Sequence, residues 1–113
     1  MAEPASTDAI EFDDGKLMLG KRKTMLDVNW HNIIERVGRD RLEKLFAQSA
    51  LIGLQNWTML PEMSNIWQHV LTEICPKLRQ RHTFFFDLAD PESRSRQDIA
   101  HALGLIAQFQ KHF

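Results

Sequence analysis

The sequence predicts an α/β fold in which a β-hairpin precedes a parallel βαβα unit, and three observations lead to it. Ile10 and Phe12 alternate ahead of Asp13-Asp14-Gly15-Lys16, a turn sequence, with Leu17 and Leu19 beyond it. Two short apolar runs, one at Ala50 to Leu54 and one at Thr83 to Leu88, are separated by a stretch with helical periodicity. A further helical stretch follows the second run, and strands alternating with helices of this length pair in parallel through right-handed crossovers.

The elements follow in order. Residues 1–7 are small and polar and are expected to be disordered, and residues 8–113 form one small domain with a modest core. The hairpin covers 9–20. Asp27 or Asn29 can cap a helical region over 29–48, where Trp30, Ile33, Ile34 and Val37 share one face. Gly38 interrupts it before Leu42, Leu45 and Phe46, so the region is two short helices or one bent one. The first strand spans 50–56, an apolar run expected to be covered on both faces, and closes with Gln55-Asn56-Trp57. Pro61 opens a helix over 61–75 carrying Met63, Ile66, Trp67, Val70, Leu71 and Ile74 on one stripe. Pro76 lies near its end, and Lys77, Arg79 and Arg81 suit the negative end of the helix dipole. The second strand spans 83–88. Ser95, with Asp98 three residues on, starts the last helix over 95–112, which carries Ile99, Leu103, Ile106 and Phe109. Two parallel strands and a hairpin leave a bare sheet edge, and Phe113 falls on an apolar position of the last helix. The expectation is a piece of a larger protein.

Composition narrows the function classes. Charged residues make up 26% of the 113, with a formal net charge of -1, so no electrostatic footprint for nucleic acid or an anionic membrane is present. No apolar run approaches the roughly 20 residues that span a bilayer, and the acidic start lacks the features of a signal peptide, which reads as cytoplasmic. The single cysteine, Cys75, cannot form an internal disulfide and reads as a buried spectator.

In an open α/β sheet, ligands bind just beyond the carboxyl ends of the strands. Asp87 and Asp90 stand there, where a carboxylate can hold a magnesium-bound phosphate or a substrate hydroxyl, or can simply start a turn with Pro91 and satisfy loose amides. Arg94 and Arg96 flank the last helix's N-terminus, as phosphate contacts or as a solvated rim. Asn56 ends the first strand on the same side as Asp87, as a ligand contact or a turn former. His31, His69, His82, His101 and His112 lack metal spacing, and no metal site is expected from them. Trp30, Trp57 and Trp67 read as core or rim aromatics. No dinucleotide fingerprint, phosphate-binding Walker loop or nucleophile elbow occurs, so no catalytic residue is assigned.

The ordered segments Asp8-Ala9-Ile10-Glu11-Phe12-Asp13-Asp14-Gly15-Lys16, Leu51-Ile52-Gly53-Leu54-Gln55-Asn56-Trp57-Thr58 and Phe84-Phe85-Phe86-Asp87-Leu88-Ala89-Asp90-Pro91-Glu92-Ser93-Arg94 resemble the middle of a PfkB (ribokinase-like) carbohydrate kinase. The resemblance runs from about Thr7 to Phe113 but covers only the central part of such a kinase. It implies a fragment of a three-layer ribokinase-like α/β fold, with the hairpin near a β lid. It implies a transferase that moves phosphate from ATP to a sugar hydroxyl with Mg2+ on the phosphates, and Asn56, Asp87, Asp90 and Arg94 at the substrate or nucleotide cleft. The family's N-terminal glycine-rich region, its Asn-x-x-Glu magnesium motif and its Gly-Ala-Gly-Asp anion hole with the catalytic base have no counterpart here, the latter two being expected beyond Phe113. Asp90 also stands where the family commonly has asparagine. Without base and anion hole the barrier to phosphoryl transfer remains, so the chain alone is expected to be inactive, either a gene remnant or one fragment of a split kinase, with a complementary kinase fragment or self-association as its expected partner. The alternative is a non-catalytic, flavodoxin-like regulatory or protein-interaction module in which Asp87 accepts a phosphoryl group. That reading needs an acidic cluster on an earlier parallel strand, whereas Asp13-Asp14 fall in a hairpin turn.

Overall fold

The computed structural model describes residues 3–21 and 23–112. Met1 and Ala2, part of the tail read as disordered, and Phe113, read as the last apolar position of the final helix, lie outside the described residues. The chain is α/β, a two-stranded antiparallel hairpin followed by a parallel βαβα unit.

The hairpin pairs β1 (Ser6–Phe12) with β2 (Gly15–Lys21) around the Asp13-Asp14 turn, with Ser6 opposite Lys21 and Phe12 opposite Gly15. Pairing thus begins inside the 1–7 tail. The hairpin does not join the parallel strands; it is a sheet of its own, and every residue of both strands is exposed. The molecule measures 58 × 31 × 23 Å, with a radius of gyration of 16.6 Å. A compact domain of this length has a radius of about 13 Å, so the excess reflects a projecting arm.

Two short helices follow, α1 (Trp30–Val37) and α2 (Arg39–Gln48). Asn29 caps α1, its side chain accepting the Asn32 amide at 2.9 Å. Gly38 makes the break. Its amide donates to Ile34, its carbonyl accepts from Leu42, and its φ of 81° is a conformation that favours glycine. A Cβ at Gly38 would meet nothing within 4 Å, so the constraint is conformational rather than steric.

The strands β3 (Leu51–Leu54) and β4 (Thr83–Phe86) pair in parallel, Leu51 with Thr83 through Leu54 with Phe86. Their inner face, Ile52, Leu54, Phe84 and Phe86, packs on the helices, whereas Leu51, 62% exposed, and Phe85 face outward. The expectation that the first strand is covered on both faces is therefore corrected. Among the described residues the helices lie against one face of this pair, and burial alternates along β3 with the strand period of two.

Between the strands, α3 (Met63–His69) continues as a π-helical turn (Val70–Ile74) and a 3-10 turn (Cys75–Lys77). The wider turn accommodates Pro76, whose ring would meet the Thr72 carbonyl in regular α geometry. The stripe Met63, Ile66, Trp67, Val70, Leu71 and Ile74 is wholly buried. The last helix, α4 (Arg96–Phe109), is capped by Ser95, whose hydroxyl accepts the Asp98 amide at 3.1 Å. Its Phe109 meets Phe84 and Phe86 at 5.0 Å between ring centroids, and Trp67 meets Phe86 edge-on at 5.2 Å. This aromatic cluster joins the strand pair to α3 and α4, and edge-to-face geometry adds about 1 kcal/mol per pair to area burial.

Candidate site at the strand ends

The two loops that leave β3 and β4 are stitched to one another. Beyond the last paired residues, the Asp87 amide donates to Leu54 at 3.1 Å, the Trp57 amide to the Asp87 carbonyl at 3.1 Å, and the Thr58 amide to the Leu88 carbonyl at 3.3 Å. Both loops take one residue into the left-handed region, Asn56 at φ 61° and Ala89 at φ 58°. Asparagine tolerates this conformation, which explains Asn56 locally; alanine adopts it at a cost of about 1 kcal/mol or more.

Each sequence-predicted residue can now be placed. The Asn56 carbonyl accepts the Met59 and Leu60 amides, and its exposed side chain makes no hydrogen bond among the described residues. It borders an open hollow of about 260 Å³ with Met25, Met59 and Leu60. Asp87 is half-buried, and its Oδ1 accepts the Ala89 amide at 2.8 Å, while Oδ2 makes no hydrogen bond among the described residues. Asp90 is exposed; its carbonyl accepts the Ser93 amide and hydroxyl, while its carboxylate has no partner among the described residues. Pro91 then opens a short 3-10 turn ending at Ser93.

Arg94 is half-buried and turned into the loops. Its Nη2 donates to the carbonyls of Trp57 and Leu60, both at 3.2 Å, and its guanidinium lies over the Trp57 ring at 4.9 Å from the centroid. Arg96, in contrast, is exposed on the first turn of α4. Thr58 and Trp57 complete the arrangement. Thr58 Oγ1 donates to Leu88 at 2.6 Å, and the buried Trp57 indole donates to Ser64 Oγ at 2.8 Å. Sequence reasoning passed over Thr58 and Ser64, because their partners lie in other loops and leave no local signature.

The electrostatics of this corner are acidic. Asp87, Asp90 and Glu92 carry negative charge, while the Arg94 charge is directed at carbonyls and an indole ring. Such a setting suits a neutral, hydroxyl-rich ligand better than a bare phosphate. No group of three or more His, Cys, Asp or Glu residues able to hold a metal exists among the described residues. The spelling Asn-x-x-Glu does occur at Asn32 to Glu35, which sequence reasoning passed over. It lies in α1, where Asn32 Nδ2 donates to the Asp27 carbonyl at 2.9 Å and Glu35 is exposed.

A second groove, of about 680 Å³, runs beside α1 and α3, bordered by Trp30, Arg39, Asn65 and His69. His69 stacks flat on Trp30 at 5.0 Å, and Glu73 accepts from both Arg39 and His69. The hydrogen bond from His69, then that from Arg39, holds the Glu73 carboxyl below the usual glutamate range. Cys75 is buried, and burial pushes its thiol up to about 11. No helix among the described residues is long and apolar enough to cross a membrane.

Comparison with known proteins relates the chain to one family. The model of a family described as prokaryotic ketohexokinase matches residues 1–112. A curated protein described as a ketohexokinase, from Haloferax volcanii, is 34% identical over 101 residues. That alignment spans 88% of this chain and 27% of the relative's length. No solved structure matches.

Proposed function

The chain belongs to the prokaryotic ketohexokinase family, and on that premise we propose that it supplies the strand-end loops of an ATP-dependent sugar kinase acting on a ketohexose in the cytoplasm. The observation that carries the reading is the family match across residues 1–112, with Asn56 and Asp87 on adjoining loops at the carboxyl ends of a parallel strand pair. Asn56 and Asp87 bind sugar hydroxyls, the amide as donor and acceptor and the carboxylate as acceptor, and Asp90 borders the same cleft. ATP is the phosphoryl donor in the complete enzyme, and Mg2+ accompanies its phosphates. Among the described residues no cluster of three or more His, Cys, Asp or Glu could hold that metal.

The chain spans 27% of its relative's length. We propose that the isolated chain binds but does not turn over, because phosphoryl transfer depends on a full ring of positioning and charge-stabilising groups around the γ-phosphate. The remaining groups come from further kinase sequence, as one longer polypeptide or as a complementary fragment. The acidic corner and the inward-turned Arg94 support a sugar subsite over a nucleotide subsite at this place.

The test is a titration of the 15N-labelled chain with a ketohexose, beside an ATP-consumption assay of the same sample. Amide shifts confined to residues 54–58 and 86–90, with no ketohexose-dependent ATP consumption, are expected. No shift there, or shifts confined to the groove beside α1 and α3, overturns the site assignment; turnover by the isolated chain overturns the claim of inactivity.

A further inference from the structure

We propose that Arg94 is a positioning residue: it locks the two strand-end loops to one another rather than contacting a ligand. Three features fix its guanidinium. One terminal nitrogen donates to two carbonyls, those of Trp57 and Leu60, each at 3.2 Å. Its Cζ lies over the Trp57 ring, 4.9 Å from the centroid. No carboxylate forms an ion pair with it among the described residues, so no acidic partner draws it toward the cleft.

The lock acts through a short chain of contacts. Arg94 holds the Trp57 carbonyl and ring; the Trp57 amide donates to the Asp87 carbonyl, and the indole is anchored from the other side by Ser64. Trp57 is 1% exposed, so it cannot swing away without opening the core. Asp87, on the second loop, is thereby set relative to Asn56 on the first. Arg94 itself follows the Pro91–Ser93 turn, its amide donating to Pro91 at 3.0 Å, so one side chain closes residues 87–94 over residues 56–60.

The chemistry demands arginine. A lysine ammonium is a single compact charge: placed to donate to both carbonyls, as the Arg94 Nη2 does, it has no second group to lay over the indole at the same time. Glutamine can reach one carbonyl but carries neither the charge nor a comparable stack. The inference goes beyond the assignment of a sugar site, because it concerns how the loops are held, whatever ligand they take.

The experiment is amide hydrogen exchange on the whole 15N-labelled chain, comparing wild type with Arg94→Lys and Arg94→Gln. Loss of the lock is expected to speed exchange at the Trp57 and Thr58 amides by about tenfold, the equivalent of one net hydrogen bond, while Leu71 and Leu105 amides keep wild-type protection. Wild-type protection in either variant overturns the proposal. So does uniform acceleration over the whole core, or failure of both variants to fold, since each means that Arg94 serves global stability. A second reading needs no variant: the Arg94 guanidinium of the wild-type chain should show hindered rotation about its Cζ–Nη bonds by 15N NMR, and free rotation refutes the lock. Ketohexose-induced shifts are recorded separately. Their absence with the Trp57 and Thr58 protection pattern intact counts against the sugar site and not against Arg94.

Discussion

Thr58 donates twice to a single acceptor: its amide, at 3.3 Å, and its hydroxyl, at 2.6 Å, both reach the carbonyl oxygen of Leu88. The residue is 8% exposed, so neither bond competes freely with water. Thr58→Val keeps the side-chain volume and the amide bond and removes only the hydroxyl donor. Because Leu88 still accepts the amide, no buried carbonyl is orphaned, and the expected loss is about 1 kcal/mol. Urea unfolding should show a lower midpoint at an unchanged slope. If Thr58→Val is as stable as wild type while Thr58→Ser is destabilised, the methyl and not the hydroxyl holds the loops, and the assignment fails.

Ala89 adopts φ 58° between Asp87, whose carboxylate accepts its amide, and the exposed Asp90. An L-residue there costs about 1–2 kcal/mol, and glycine relieves it while adding about 0.4–1 kcal/mol of unfolded-state entropy. The net expectation is that Ala89→Gly is slightly stabilising, by about 0.5 kcal/mol, and Ala89→Val destabilising by about 1 kcal/mol or more, because a β-branched residue resists this region further. Thermal unfolding of the two variants decides it. A Val variant as stable as wild type would show that the loop relaxes away from this conformation.

Glu73 links α3's π-helical continuation to α2 through Arg39 and to its own helix through His69. The folded carboxyl titrates below its ordinary value, so its contribution is fully present above the unfolded glutamate value and is lost as pH falls through the lower, folded value. Stability should therefore decline on acidification below about pH 4.5, partly through this group. Glu73→Gln removes that component: the variant should be less stable than wild type at neutral pH, and the difference should shrink toward pH 3. A difference that is the same at both pH values would show that the ionised carboxylate contributes nothing.

What was legible in the sequence is what local chemistry dictates. Asp13-Asp14-Gly15 makes a turn, Asn29 and Ser95 cap helices, and Gly38 breaks one, whatever surrounds them. Coverage of β3 was not legible: Leu51 and Ile52 are equally apolar, and only tertiary packing decides which face a helix takes. Nor was the π-helical turn, since the stripe from Met63 to Ile74 reads as one continuous helix and only Pro76 hints at trouble. The placement of Asn56 and Asp87 on adjoining loops was legible because consecutive parallel strands bring their carboxyl ends together. The direction of Arg94 was not. Its partners Trp57 and Leu60 lie 37 and 34 residues away, and an arginine beside Glu92 and Asp98 looks in sequence like a solvated one.

The hairpin arm puts the same contrast between local pairing and tertiary cover to an experimental test. β1 and β2 pair over their full lengths, yet Phe12 is 60% exposed, and Ile10, Leu17, Met18 and Leu19 are also largely open to solvent. The Asp8–Lys21 ion pair at 2.8 Å is itself exposed and adds little. An isolated two-stranded hairpin is marginally stable at best, because pairing without a buried face barely offsets the entropy of ordering the chain. Amides of β1 and β2 should therefore exchange at rates near those of an unfolded peptide in dilute solution, while Leu71 and Leu105 amides stay protected. Strong hairpin protection would mean that something covers its apolar side chains. Repeating the measurement across a dilution series then identifies the cover, because protection that fades with dilution belongs to a second copy of the chain, and protection that does not belongs to the fold itself.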